Sequence, residues 1–262
     1  IHSKDEVSKN GSVNSPYCQI PDITAVFGAY HKDLLTNISA YPENSVVITG
    51  QPRYDIISHA NEIFNKEQFL KRYNINKNHK IVLWTTQCHG LSDEENIRCF
   101  KAIFGTFSNQ KDVTLILKQH PGEGEKHTKM MSDALNDHPL NIIIPPKRSN
   151  IYEQLYSCDL MITKTSTTAM EAVALNKPII VLNLSGKPDT INYVGEGVAL
   201  GVYKENDLQV TVEKLLEDDS ELAKNRRFYI EKYLYQIDGK STERVVQLIK
   251  KMIDDKKDQN IS

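Results

Sequence analysis

CDLMITKTSTTAMEAVALNKPIIVLNL, residues Cys158 to Leu184, decides the architecture. It falls into strand, polar turn, helix and strand. Asp159 to Thr163 is a short apolar run. Lys164-Thr165-Ser166-Thr167-Thr168 is a cluster of hydroxyls with one cation. Ala169 to Leu175 is a small-residue helical segment with a single acid, Glu171. Asn176-Lys177-Pro178 stops the helix, and Ile179 to Leu182 is a second buried strand. Hydroxyls and backbone N–H groups at a helix start, just past the carboxyl end of a strand, suit an anion. In an open parallel sheet ligands collect at that edge.

Outward from this stretch, apolar runs and helical periods alternate. Strands are expected at Ile81–Thr85, Val113–Lys118, Asn141–Ile144, Asp159–Thr163, Ile179–Leu182 and Gly197–Val202. Helices are expected between them, and Ser92 with Glu95 forms a capping box for the one starting at Asp93. The runs are apolar throughout rather than alternating, as a sheet covered on both faces requires. The fold class is therefore α/β, a doubly wound Rossmann-like parallel sheet with expected order 3-2-1-4-5-6. That order sets the first and fourth strands side by side, so the loop Thr85-Thr86-Gln87-Cys88-His89 faces Lys164–Thr168, with His120 one strand over.

Upstream, Ile23–Phe27, Tyr30–Ala40 and Ser45–Ile48 form one strand–helix–strand unit, too small to bury its own faces. Tyr54 to Ile75 is mostly helical, with a break near Asn65. Three segments are expected. Residues 1–78 are a lead-in and the end of a preceding domain with a linker helix, 79–238 the main domain, and 239–262 a helix over Thr242–Ile253 with a frayed charged tail. The chain opens Ile1-His2-Ser3 without an initiator methionine, as expected of a fragment, a processed form or a trimmed chain.

Composition is that of a globular protein, 39% hydrophobic and 25% charged over 262 residues. A formal net charge of -2 gives no reason to expect a nucleic acid partner. No apolar run approaches the roughly 18 residues of a membrane span. The four cysteines, Cys18, Cys88, Cys99 and Cys158, lack ligand-like spacing and are expected as free thiols of a reducing compartment.

The strand VLWTTQCHG is not followed by GxGxxG, and no GxxxxGK[ST] occurs, so neither glycine-rich phosphate loop is present. Four hydroxyls in a row exceed what one N-cap needs, so Ser166, Thr167 and Thr168 are expected to hold phosphate. Glu171, one turn into the helix, is placed to accept from the vicinal hydroxyls of a ribose. His120 follows a buried strand and can donate to a phosphate or sugar hydroxyl, or move a proton. His31, His89 and His127 are expected at the surface. No histidine pair has metal-ligand spacing, so no metal and no cofactor are expected.

These residues resemble a known family. The D-L-M-I-T strand, Ser/Thr-rich turn, Glu171-Ala172 and Asn176-Lys177-Pro178-Ile179-Ile180-Val181 resemble the nucleotide-binding C-terminal half of GT-B glycosyltransferases. The nearest branches are CDP-glycerol glycerophosphotransferases, capsule and surface-carbohydrate enzymes, and UDP-N-acetylglucosamine 2-epimerases. Val47-Ile48-Thr49-Gly50-Gln51-Pro52-Arg53-Tyr54-Asp55 resembles their VTGxPRxD segment, and Lys118-Gln119-His120-Pro121 their KxHP turn. The resemblance covers roughly residues 22–255. It implies a GT-B donor domain plus a remnant of the acceptor domain, which in the wider family runs to roughly 150–200 residues, a full domain by size.

By that resemblance the donor's phosphates lie on Ser166, Thr167 and Thr168, its ribose on Glu171 and its base near Pro145-Pro146. Thr85, Thr86 and Gln87 line the opposite wall, and His120 and Lys164 are the candidates for catalysis. Two departures bear on the reaction. Glycerophosphotransferases carry an acidic TDYSS turn where this chain has Thr163-Lys164-Thr165-Ser166-Thr167. Hydrolysing epimerases carry DSGG and TERPE, where this chain has no paired glycines and Asn183 to Asp189 is NLSGKPD. Transfer of a glycosyl or glycerophosphoryl group from a nucleotide-activated sugar or glycerol donor to a surface glycan or lipid-linked acceptor is therefore expected, with no metal. Epimerisation or hydrolysis of a UDP-sugar, or nucleotide binding without turnover, are the alternatives. The expected setting is the cytoplasm, at the inner face of the membrane if an N-terminal part provides peripheral attachment.

Overall fold

The computed structural model describes residues 21–39, 41–87, 91–108, 110–135, 138 and 141–259. Cys18, Cys88 and His89 lie outside them, as does the lead-in over residues 1–20. The chain forms two compact units, one from residues up to Ala60 together with those from Arg227 onward, the other from Asn61 to Arg226.

The first unit contains the strands β1 (Thr24–Val26) and β2 (Val46–Ile48), which pair in parallel with Thr24 opposite Val46. The crossover between them is the helix Ala29–Asp33, continued as a π-helical turn over Leu34–Ile38. Val26, Leu35 and Val46 form the small core beneath it. Gly28 opens this crossover where the chain passes close to another segment. A Cβ there would lie 2.7 Å from the backbone carbonyl carbon of Tyr233. His31 is not a surface residue: it is half-buried, edge-on to Phe27 and Tyr30, and burial lowers its pKa.

The same unit holds the helix Ser241–Gln259. Its first turn is capped from a distance, because the Asp55 carboxylate accepts from Ser241 N at 2.9 Å and Thr242 N at 2.8 Å. Arg244 donates from Nε to Thr49 O at 2.8 Å and is forked onto Asp238 at 2.8 and 3.0 Å. The helix runs past Ile253, where the apolar period stops, and is continuous to Gln259.

The second unit is built on one six-stranded sheet. Its strands are β3 (Lys80–Thr85), β4 (Val113–Lys118), β5 (Ile142–Ile143), β6 (Leu160–Thr163), β7 (Ile179–Leu182) and β8 (Leu200–Val202). All pairings are parallel and the order is β5-β4-β3-β6-β7-β8, the order 3-2-1-4-5-6 expected from the alternation. β3 and β6 are neighbours in the middle, with Trp84 opposite Ile162.

Burial explains the apolar strands. On one face Val82, Leu117, Leu160, Ile162 and Ile180 pack with Phe100, Phe104, Met131 and Val212 from the helices Asp93–Phe107, Glu125–Leu135 and Leu208–Glu217. The alternate residues Ile81, Leu83, Ile116, Met161, Ile179 and Val181 are equally inaccessible, each 0% exposed, so the other face is covered as well. Truncating a core ring such as Phe104 would cost about 3–5 kcal/mol. The helix Asp93–Phe107 begins with the expected capping box: Ser92 Oγ accepts from Glu95 N at 3.1 Å, and the Glu95 carboxylate accepts from Ser92 N at 2.6 Å. Asn65 breaks the upstream helical stretch by capping Lys66–Arg72, its side chain accepting from Gln68 N at 3.0 Å.

Candidate functional site

The carboxyl ends of β3, β4, β5 and β6 bring the polar loops to one edge of the sheet, and side chains tie each loop to its neighbour. Thr85 and Thr86 end β3 with their hydroxyls committed to opposite sides. Thr85 donates to Thr163 Oγ1 at 2.9 Å, towards β6. Thr86 donates to Glu123 Oε1 at 2.6 Å, towards β4, and accepts from His120 N at 3.3 Å. Both threonines are buried, so they support the wall of the crevice rather than present hydroxyls to it.

Gln87 reaches across to the turn after β6. Its Oε1 accepts from Thr163 Oγ1 at 3.2 Å, Lys164 N at 3.2 Å and Thr165 N. From the far side Tyr193 OH donates to the carbonyl of Ser166 at 3.1 Å, and the tyrosine is 0% exposed. Ser166 Oγ accepts from Thr168 N at 3.2 Å within the turn that enters the helix Thr168–Ala174, and its own hydrogen is not used in that bond. Thr167 is exposed and Thr168 half-buried beside it. Glu171 lies in the first turn of this helix, 2% exposed.

Lys164 points along the other side of the turn. It lines a cavity of about 20 Å³ with Thr85, Thr86, Gln87, Asn96 and Cys99, room for one water molecule and not for a nucleotide. Burial pushes the Cys99 thiol up to about 11, and the charge of Lys164 only partly offsets this.

His120 is exposed at the tip of its turn. Its Nδ1 accepts from Gly122 N at 3.1 Å. Beneath it two lysines lock the turn to the next loop in both directions. Lys118 Nζ donates to the carbonyls of Gln119 at 3.3 Å and of Lys147. Lys147 Nζ donates in return to the carbonyl of Glu123 at 2.6 Å. Burial lowers the Lys118 pKa, with the Glu123 carboxylate opposing it. Pro146 is exposed in the loop after β5, next to this tie. At the β7 end, Asn183 donates to Asp189 at 2.7 Å, and Asp189 accepts from Tyr203 OH at 2.7 Å, which raises that phenol to about 12.

The expected candidates thus gather on one sheet edge, though in different roles. Ser166, Thr167, Pro146 and His120 are accessible, while Thr85, Thr86 and Glu171 are buried. Sequence reasoning passed over Glu123, Lys147 and Tyr193. Their only signal is position in the loops after β4, β5 and β7. Among the described residues no three His, Cys, Asp or Glu side chains gather as a metal site.

A doubly wound sheet with its polar loops at the carboxyl edge places the chain in the GT-B-like class of α/β proteins. Within that class it belongs to the CDP-glycerol:poly(glycerophosphate) glycerophosphotransferase family, whose sequence profile matches residues 21–251. It is similar in structure to UDP-GlcNAc 2-epimerase from Neisseria meningitidis bound to UDP-GlcNAc, with 18% identity and a TM-score of 0.64 over 95% of this chain and 67% of that one. It is also similar to the wall teichoic acid polymerase TagF, with 14% identity and a TM-score of 0.62 over 90% of this chain and 59% of that one. A third similar structure is MnaA of S. aureus with UDP, with 22% identity and a TM-score of 0.65 over 97% of this chain and 66% of that one. The chain thus spans about two thirds or less of these proteins. No match was found among curated proteins.

Proposed function

We propose that this chain is the donor-binding part of a transferase that moves a glycerophosphoryl or glycosyl group from a nucleotide-activated donor to a surface glycan or lipid-linked acceptor. The observation that carries this reading is the family match over residues 21–251, which spans every loop of the crevice. In glycerophosphoryl transfer an acceptor oxygen bonds to the donor's β-phosphorus, the bond to the bridging oxygen breaks, and the nucleoside monophosphate leaves with the negative charge. That charge is the quantity the site must stabilise. Ser166, Thr167 and Thr168 offer hydroxyl donors to it. The acceptor oxygen sheds its proton as it bonds to phosphorus, and His120, at the exposed tip of its turn, is the candidate to take that proton or to contact the transferred group. Lys164, pointing along the neighbouring cavity, contributes charge at longer range. The proposed scheme is independent of metal, and the proposed setting is the cytoplasm at the inner face of the membrane; no helix among the described residues is long and apolar enough to cross one.

The likeness to 2-epimerases keeps isomerisation of a UDP-sugar as the second reading, against which stands the absence of paired glycines in the Lys164–Thr168 turn. Calorimetry with CDP, UDP and GDP is the test. Binding of CDP or UDP that is lost in the Ser166→Ala, Thr167→Ala double variant supports the donor site. No heat with any of the three nucleotides, or unchanged binding by the double variant, sinks it. A preference for CDP over UDP favours glycerophosphoryl transfer over the epimerase reading.

A further inference from the structure

Gln87 is the junction of the crevice. It lies in the loop after β3, yet its side-chain oxygen is the acceptor for three groups of the turn after β6: the Thr163 hydroxyl and the backbone N–H groups of Lys164 and Thr165. A carbonyl oxygen has two lone pairs, so three donors leave it no capacity for a ligand. Two consecutive N–H groups aimed at one point form the kind of concavity that elsewhere holds an anion. Here a neutral amide oxygen fills it. Without Gln87 those two N–H groups would need another acceptor. The carbonyl side of the same turn is gripped separately, by the hydroxyl of the buried Tyr193 on Ser166 O.

We infer that Gln87 is a positioning residue. It holds the 163–165 turn so that the hydroxyls of Ser166, Thr167 and Thr168, and not the Lys164 and Thr165 N–H groups, meet the donor's phosphates. The inference rests on the donor-site reading above and changes one part of it: Gln87 shapes the phosphate site through its carbonyl oxygen instead of lending that oxygen to the ligand.

The test uses the 262-residue chain, CDP as ligand and two substitutions. Gln87→Met keeps the length of the side chain and removes the acceptor. Gln87→Glu keeps an acceptor at the same reach. Two quantities are measured: CDP affinity by calorimetry, and solvent exchange of the Lys164 and Thr165 amides by NMR. Both amides should be slow to exchange in the unaltered chain and in Gln87→Glu, and fast in Gln87→Met. CDP should bind Gln87→Met about tenfold or more weakly, the effect of losing one or two hydrogen bonds. Protection that glutamate keeps and methionine loses assigns the amide effect to the acceptor oxygen, and the parallel change in CDP affinity, which a purely structural role would not move, ties it to the phosphate site. Unchanged CDP affinity in Gln87→Met, or amides as protected there as in the unaltered chain, overturns the inference. Should Gln87→Met not fold, Gln87→Glu decides: protected amides support the assignment and exposed ones overturn it. If the unaltered chain binds neither CDP nor UDP, the donor-site reading falls and takes this inference with it, which the amide measurement separates from a failure of Gln87 alone.

Discussion

Thr86 donates its hydroxyl hydrogen to the carboxylate of Glu123 at 2.6 Å, and both side chains are buried. A buried carboxylate deprived of this donor loses part of what offsets its desolvation, the charge of Lys118 remaining. Thr86→Val preserves shape and removes that donor, so unfolding in urea should show a loss of about 1–3 kcal/mol. The accompanying Glu123→Gln should restore part of it. A Thr86→Val chain as stable as the parent would show that the bond carries no net stability.

Glu171 is the residue whose role the chemistry of the ligand can isolate. If its carboxylate accepts from ribose hydroxyls, CDP should bind more tightly than 2′-deoxy-CDP, and Glu171→Ala should erase the difference. Each hydrogen bond to a charged group lost in this way is worth about 1.5–3 kcal/mol, or roughly ten- to a hundredfold in affinity. Equal loss for both nucleotides would mark the carboxylate as a support of the helix Thr168–Ala174 instead.

Asp55 stands in for an N-cap on the helix Ser241–Gln259 across a separation of 186 residues. Burial raises its pKa, but hydrogen bonds from Thr242 and Ser241 outweigh burial and leave it lowered. Asp55→Ala leaves both N–H groups uncapped and should lower stability by about 0.5–2 kcal/mol. Loss of helical circular dichroism at temperatures where the parent is intact would be the signature.

Asp238 links the first unit to pH. The hydrogen bond from Arg244 holds its carboxyl at about 2, below its ordinary value of 3.8. A depressed carboxyl pKa contributes stability that is present above the unfolded value and lost as pH falls through the folded one. The contribution should therefore decline between about pH 4 and about pH 2. Asp238→Asn should flatten that part of the stability profile. An unchanged slope in the variant would assign the acid sensitivity to other carboxylates.

The sheet was legible in the sequence because its strands are buried on both faces, and two-sided burial writes continuous apolar runs such as Ile81–Trp84 and Ile179–Leu182. Their order is the doubly wound one that six alternating strands fit. The crevice was legible only as a set of loops. Thr85 and Thr86 look alike in sequence, yet one hydroxyl turns to Thr163 and the other to Glu123, a choice made by strand neighbours distant in the chain. Tyr193 sits 27 residues from Ser166 in a segment without period, so nothing local announces its bond to the Ser166 carbonyl. His31 was misjudged for the same reason: the aromatic rings that bury it include Tyr233, from the far end of the sequence.

The exchange between Lys118 and Lys147, each ammonium held by the other loop, has a consequence for how the two loops can be replaced. A loop grafted alone after β4 would arrive without the carbonyl that receives Lys147, and one grafted alone after β5 without the carbonyl that receives Lys118. The two segments therefore depend on each other for their conformation. Chimeras that exchange residues 118–124 and 145–149 together should fold where either single exchange fails, which thermal unfolding of the three chimeras checks.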